Sequence, residues 1–128
     1  MNAKNNSGQS MVEFALILPI LLLLIMGIIE FSFIFTNYLA MSNASREAAR
    51  SISLGSTDTV AEQRIYDVAS ILEKSRLSID IDPIGGNRTQ GDMVTVSLEY
   101  DYNFLTPIIN GLLGEAFKLQ TSATMRVE

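Results

Sequence analysis

Hydrophobic and polar positions change their spacing four times along this chain, and each change marks a new element. From residue 14 to residue 29 every side chain is uncharged, and Phe31, Phe33, Ile34 and Phe35 carry the apolar run past Glu30. A run approaching ~20 residues is long enough to cross a bilayer as a helix. At a rise of about 1.5 Å per residue, Glu13 and Glu30 would lie roughly 25 Å apart along the axis, near opposite edges of the hydrocarbon core. From residue 36 to 54 the pattern is amphipathic: Leu39, Ala40, Ala44, Ala48 and Ile52 share one side, Asn37, Arg46 and Arg50 lie elsewhere, and Gly55 supplies a stop. A continuous helix from residue 10 to 54 would be about 68 Å long.

Beyond Gly55 the elements are shorter. Thr59 and Glu62 fit a capping box, and Ala61, Ile65, Val68 and Leu72 follow at helical spacing, predicting a second helix over residues 60–75. The period then falls to two. Leu77, Ile79 and Ile81 alternate with Ser78, Asp80 and Asp82; Pro83 and the turn Gly85-Gly86-Asn87 follow; Val94, Val96, Leu98, Tyr100 and Tyr102 alternate next. These are two strands of a hairpin with a long loop. Thr106-Pro107 opens a short helical or looped insert through Leu113. Phe117, Leu119, Thr121, Ala123, Met125 and Val127 alternate to the end as a third strand. The expected fold class is α+β: a long helix, half transmembrane and half amphipathic, with a second helix and a small three-stranded antiparallel sheet. The corresponding division is 1–8, 9–35 (membrane helix), 36–55 (amphipathic extension) and 56–128 (head).

Composition narrows the function classes. Residues 1–35 carry one base and two acids, residues 36–55 two bases and one acid, and residues 56–128 six bases and eleven acids, for the overall net charge of −5. An acidic head lacks the basic stripe that phosphate binding requires, which argues against nucleic acid as a partner. With no Cys and no His, thiolate nucleophiles, imidazole acid–base chemistry, disulfides and the common zinc ligands are unavailable. Asp80, Asp82, Asp92, Glu99 and Asp101 could offer oxygen ligands, but no twelve-residue calcium-loop spacing appears, and alternation in strands places such carboxylates in solvent. Gly85-Gly86 is a turn, since no Lys-bearing helix start follows it. No nucleophile–base pair can be named, so no enzyme activity, cofactor or metal is expected.

Within the span, Pro19 lacks an amide hydrogen and frees the carbonyl of Ala15, so a helix kink is expected there. Gly27 has no small residue four positions away and forms no close-packing motif. A cleavable secretory signal fits poorly: the flank has only Lys4, the run is long, and no small-x-small site closes it. Lys4 on one side and Arg46 and Arg50 on the other leave the charge rule for orientation nearly balanced.

The stretch Gly8-Gln9-Ser10-Met11-Val12-Glu13-Phe14 puts a small residue before a hydrophobic helix whose fifth residue, counted from Gln9, is a glutamate. This resembles a type IV prepilin processing site. The resemblance implies cleavage by a membrane prepilin peptidase after Gly8, loss of residues 1–8 as a leader, and exposure of the Gln9 amine. Gln9 and Glu13 stand one helical turn apart, so a new ammonium could pair with the carboxylate of its own or an adjacent subunit. Alternatively, Glu13 sits at the interface and complements the helix dipole.

The ordered series Val12-Glu13-Phe14-Ala15-Leu16-Ile17-Leu18-Pro19, Gly27-Ile28-Ile29-Glu30-Phe31 and Asn43-Ala44-Ser45-Arg46-Glu47-Ala48-Ala49-Arg50 is similar to the TadE-like family of minor pilins and pseudopilins of tight-adherence (Tad/Flp) pilus systems. It covers residues 1–55 well and the remainder loosely. What it implies is a pilin-like protein of the inner (cytoplasmic) membrane, its head outside the cytoplasm, that assists assembly of an adhesive filament and can join the extracellular pilus. Its implied partners are the prepilin peptidase, other pilins and minor pilins, the inner-membrane assembly platform and the lipid bilayer. Glu13 would set subunit register, and Glu30 is a candidate second charge at the membrane edge. The other reading is an unprocessed single-pass accessory or sensor domain that keeps residues 1–8.

Overall fold

The computed structural model describes residues 3–114 and 117–128; Met1, the first residue of the expected leader, lies outside them. The chain forms α1 (Ala3–Ser53), α2 (Asp58–Val68), a 3₁₀ turn (Lys74–Arg76), β1 (Leu77–Asp82), β2 (Met93–Tyr102), α3 (Pro107–Leu113) and β3 (Phe117–Arg126). This is the expected α+β class, with a single antiparallel sheet in the order β1-β2-β3.

Helix α1 has 51 residues and runs without interruption through Pro19. At about 1.5 Å per residue it is roughly 76 Å long. Its polar side chains cap their own backbone: the Ser32, Thr36 and Ser53 hydroxyls donate to the carbonyls of Ile28, Ser32 and Arg50 at 2.8 Å each. The stop comes where Gly55 suggested. Gly55 has φ +94°, its N–H reaches the Ile52 carbonyl at 2.9 Å, and the Ser56 N–H reaches Ser51 at 3.1 Å. Those two bonds form a Schellman cap, whose left-handed position a Cβ would strain.

Along the second half of α1, Met41, Ala44, Ser45, Ala48, Ala49 and Ile52 are buried at helical spacing. The alanines pack inward on the chain's own sheet and α2. Leu39, expected on that stripe, is instead exposed, and Met41 takes the inward seat. A residue two positions away on a helix is rotated by about 200°, which explains the exchange.

α2 starts two residues earlier than the capping-box reading and ends seven residues sooner. Thr57, not Thr59, is the N-cap, its side chain accepting from the Val60 N–H at 3.4 Å. Asp58 then occupies the first turn, where the helix dipole favours a carboxylate, and it also accepts the Gly85 N–H at 2.9 Å and pairs with Arg88. That pairing ties the loop between β1 and β2 to the start of α2. At the far end the chain leaves the helix at Ala69 and turns through a Leu72 N–H to Ala69 carbonyl bond of 2.9 Å. Leu72 stays buried while Leu77 is delivered into register opposite Tyr100. A helix continued to residue 75 would leave too little chain to make that reversal.

The strands have the expected period. Val94, Val96, Leu98, Tyr100 and Tyr102 of β2 are all buried, and β2 is the central strand, with pairs running from Leu77↔Tyr100 to Asp82↔Thr95 and from Met93↔Arg126 to Tyr102↔Phe117. Small α1 side chains let the sheet approach: Ser45 is fully buried, and its hydroxyl lies 3.4 Å from that of Thr121 on β3. Outward carboxylates find local partners, with Glu99 accepting from Lys118 at 2.7 Å and Gln120 at 3.0 Å across the β2–β3 pair.

Candidate functional site

Glu30 is the one charged residue between Glu13 and Arg46, and the structure buries it to 2% exposure. It follows a run of lipid-like side chains on α1, with Phe31 and Phe35 stacked beyond it at 6.3 Å. Its carboxylate receives four hydrogen bonds from the far end of the chain. The Tyr102 hydroxyl donates to Oε1 at 2.8 Å and the Leu105 N–H to the same oxygen at 3.0 Å; the Thr106 N–H and hydroxyl donate to Oε2 at 3.1 and 2.9 Å. Donors to a charged acceptor form the stronger class of hydrogen bond, and a carboxylate with all its sites used can be held away from water.

The local sequence explains the arrangement. Tyr102 ends the inward-facing series of β2, so its ring is buried and its hydroxyl must find a partner. The chain then leaves the strand, and Thr106 becomes the N-cap position before Pro107, exposing two consecutive amides to a single acceptor. Tyr102 packs edge-on against Phe104 at 5.8 Å, and Phe104 packs against Phe117 at 6.3 Å. Burial, then the neighbouring Glu30 carboxylate, push the Tyr102 hydroxyl well above its ordinary titration range. Sequence reading singled out Glu30 but missed its four donors. The available signal was Tyr102 itself, a hydroxyl on the inward phase of a strand.

The other sequence-derived positions lie elsewhere on α1. Gly8, Gln9 and Glu13 are all within the helix and exposed, and the Gln9 Nε2 donates to Glu13 Oε1 at 3.2 Å, so the two share one face. Gly8 has open space around its Cα. Pro19 lies in the middle of the exposed apolar stretch, six residues from Glu13 and eleven from Glu30 in sequence. Glu30 and Glu13 are therefore separate sites, one bound to the chain's own head and one left facing outward.

Glu47 accepts from Arg64 of α2 at 2.9 Å, because α2 lies against that side of α1. Arg46, Arg50, Gln63, Arg64 and Asp67 line a shallow groove of ~770 Å³ between the two helices. It contains no nucleophile with an adjacent base. Among the described residues no three Asp or Glu side chains converge as a metal site would require.

The N-terminal half of α1 contains one stretch long and apolar enough to cross a membrane, and none of its most apolar window is buried by the rest of the chain. Residues 8–50 match the family model described as TadE-like protein. Over this segment, about a third of the chain, the protein is similar to the TadE-like family. The match lies wholly inside α1 and takes in Gly8, Gln9, Glu13, Pro19 and Glu30, whereas the donors to Glu30 fall outside it. Comparison with curated proteins and with solved structures gave no match. The matched segment coincides with the helix that is long and apolar enough to cross a membrane.

Proposed function

We propose that this TadE-like chain is a minor pilin or pseudopilin that supports assembly of a Tad/Flp-type adhesive pilus. It enters the inner membrane by α1, holds its head outside the cytoplasm, and is cut after Gly8 by a prepilin peptidase. Its chemistry is binding, and its only reaction is that cleavage. The single observation carrying this reading is the family match over residues 8–50, which contains Gly8, Gln9 and Glu13 in prepilin order on one helix.

Two features support it physically. The apolar face of α1 around residues 14–29 is left uncovered by the head, so it is available to lipid and to the helices of other pilins and minor pilins. Glu13 lies one turn from Gln9, and the two side chains already reach each other. Removing residues 1–8 would add an ammonium at Gln9 within range of that carboxylate or a neighbour's. Contact with the assembly platform in the membrane follows from the same lateral exposure.

The reading is tested in cells lacking this protein and complemented with the full chain or its Glu13→Val variant, scored by surface pilus yield. Glu13→Val is expected to accumulate in the membrane at normal levels yet fail to restore pili, while Glu47→Gln restores them. Restoration of pili by Glu13→Val would remove Glu13 from assembly.

A further inference from the structure

We propose that the tip of the β2–β3 connection, residues 103–114 including α3, is a second lipid-contacting element, lying in the interfacial layer of the same bilayer that α1 crosses. The proposal rests on the membrane-spanning reading of α1 and adds a contact outside it.

The placement of the tip follows from two clamps on α1. At the far end, the Glu128 N–H donates to the Ser53 carbonyl at 3.0 Å; at the near end, Leu105 and Thr106 donate to Glu30. Ser53 and Glu30 are about 35 Å apart along a helix, and a strand from Arg126 to Phe117 covers about 31 Å. β3 therefore runs down α1 toward the membrane-spanning half, and the connection to β2 reaches the level of Glu30. That level is where an apolar helix crossing from Glu13 leaves the hydrocarbon.

The chemistry of the tip suits that level. No residue from 102 to 114 is charged. Leu105, Ile108, Leu112 and Leu113 are 50–79% exposed, with Phe117 beside them at 47%. These exposed side chains flank Leu105 and Thr106, whose bonds to Glu30 fix them at the end of the apolar stretch of α1, where Phe31 and Phe35 are exposed as well. A short apolar helix next to a membrane span is covered by the acyl boundary, where such faces insert about 5–10 Å. Glu30 then acts as the tie that holds the tip at that depth, its charge solvated by four donors rather than offered to lipid. The tie to Glu30, at the end of the stretch that crosses the bilayer, favours lipid over a second copy of the chain as the cover of this face.

The chain has no Trp, so single tryptophans report position directly. The full chain is reconstituted at low density into phosphatidylcholine vesicles containing lipids brominated in the acyl chain, with Leu112→Trp or Leu113→Trp at the tip. Leu22→Trp marks the span, and Ile84→Trp, 68% exposed in the loop between β1 and β2, marks the distal head. Leu112→Trp and Leu113→Trp are expected to lose about half their emission, as a ring held at the acyl boundary should. Leu22→Trp is expected to be quenched more strongly and Ile84→Trp not at all. Quenching at Leu22→Trp with none at either tip position overturns the proposal while leaving the span intact. Absence of quenching at Leu22→Trp overturns both. A tip signal that changes only as protein density rises, independent of bromination, assigns the face to a second copy and also overturns the proposal.

Discussion

Replacing Glu30 with Ala removes the acceptor for two backbone amides and two hydroxyls at once. The Tyr102 and Thr106 hydroxyls can rotate toward other acceptors, but the amides of Leu105 and Thr106 are fixed by the backbone and have no such freedom. A hydrogen bond to a charged group contributes about 1.5–3 kcal/mol, so two orphaned amides give a loss of ~3–6 kcal/mol. Relief of the buried carboxylate's own desolvation moves the net toward the lower end, roughly 3 kcal/mol. At about 1.4 kcal/mol per tenfold change, local opening of residues 103–106 should rise by ~100-fold. Hydrogen exchange of the full chain in lipid nanodiscs reads this directly, as faster exchange at Leu105 and Thr106 with little change at Val96 or Leu98. Glu30→Gln, which keeps one acceptor oxygen, should fall between. Unchanged exchange at Leu105 and Thr106 in Glu30→Ala would refute the reasoning, as would equal loosening of the whole sheet.

Tyr102 makes the same clamp sensitive to alkali. Its titration is raised above the ordinary value of 10.0, so its contribution is complete below that pH and is lost as pH climbs further. NMR of ring-labelled tyrosine should show Tyr102 titrating last of the four, and Tyr102→Phe should flatten the alkaline decline in exchange protection at residues 103–106. Ala48→Leu forces a large side chain into a fully buried α1 position and should cost about 1–3 kcal/mol in thermal unfolding, whereas Leu39→Ala on the exposed side should cost little. Gly55→Ala meets no neighbouring atom but must adopt φ +94°, and should destabilise the α1 cap by about 1 kcal/mol in denaturant unfolding. Ile65→Ala opens a cavity under α2 and should cost about 2–4 kcal/mol, seen first as protease sensitivity of α2.

The sequence was most legible where one periodicity held over a long stretch. The charge-free run before Glu30 and the alternation from Val94 to Tyr102 lead straight to α1 and β2, since each pattern fits one backbone geometry. Gly55 marked its helix end because only its own backbone freedom was involved. Boundaries set by distant contacts were less visible. The start of α2 depends on Asp58 being engaged by Gly85 and Arg88, 27 and 30 residues away, and its end depends on the register of Leu77 with Tyr100. Leu39 and Met41 exchanged roles because adjacent helical stripes of apolar residues are equally plausible until the sheet chooses one. The Glu30 clamp joins residues more than 70 positions apart, and no periodicity encodes such a pairing. Gly8, Gln9 and Glu13 are the reverse case. Their spacing is plain in the sequence, but their proposed partners are other molecules.

The mature amino terminus is the most direct measurement of the central claim. The full chain is co-expressed with a cognate prepilin peptidase, alongside a Gly8→Val control, and intact mass and terminal peptides are read by mass spectrometry. The account expects a new terminus at Gln9 that disappears in the control. An uncut chain retaining residues 1–8, under conditions where a known prepilin is processed, would contradict it and leave an unprocessed membrane-anchored accessory domain as the better description.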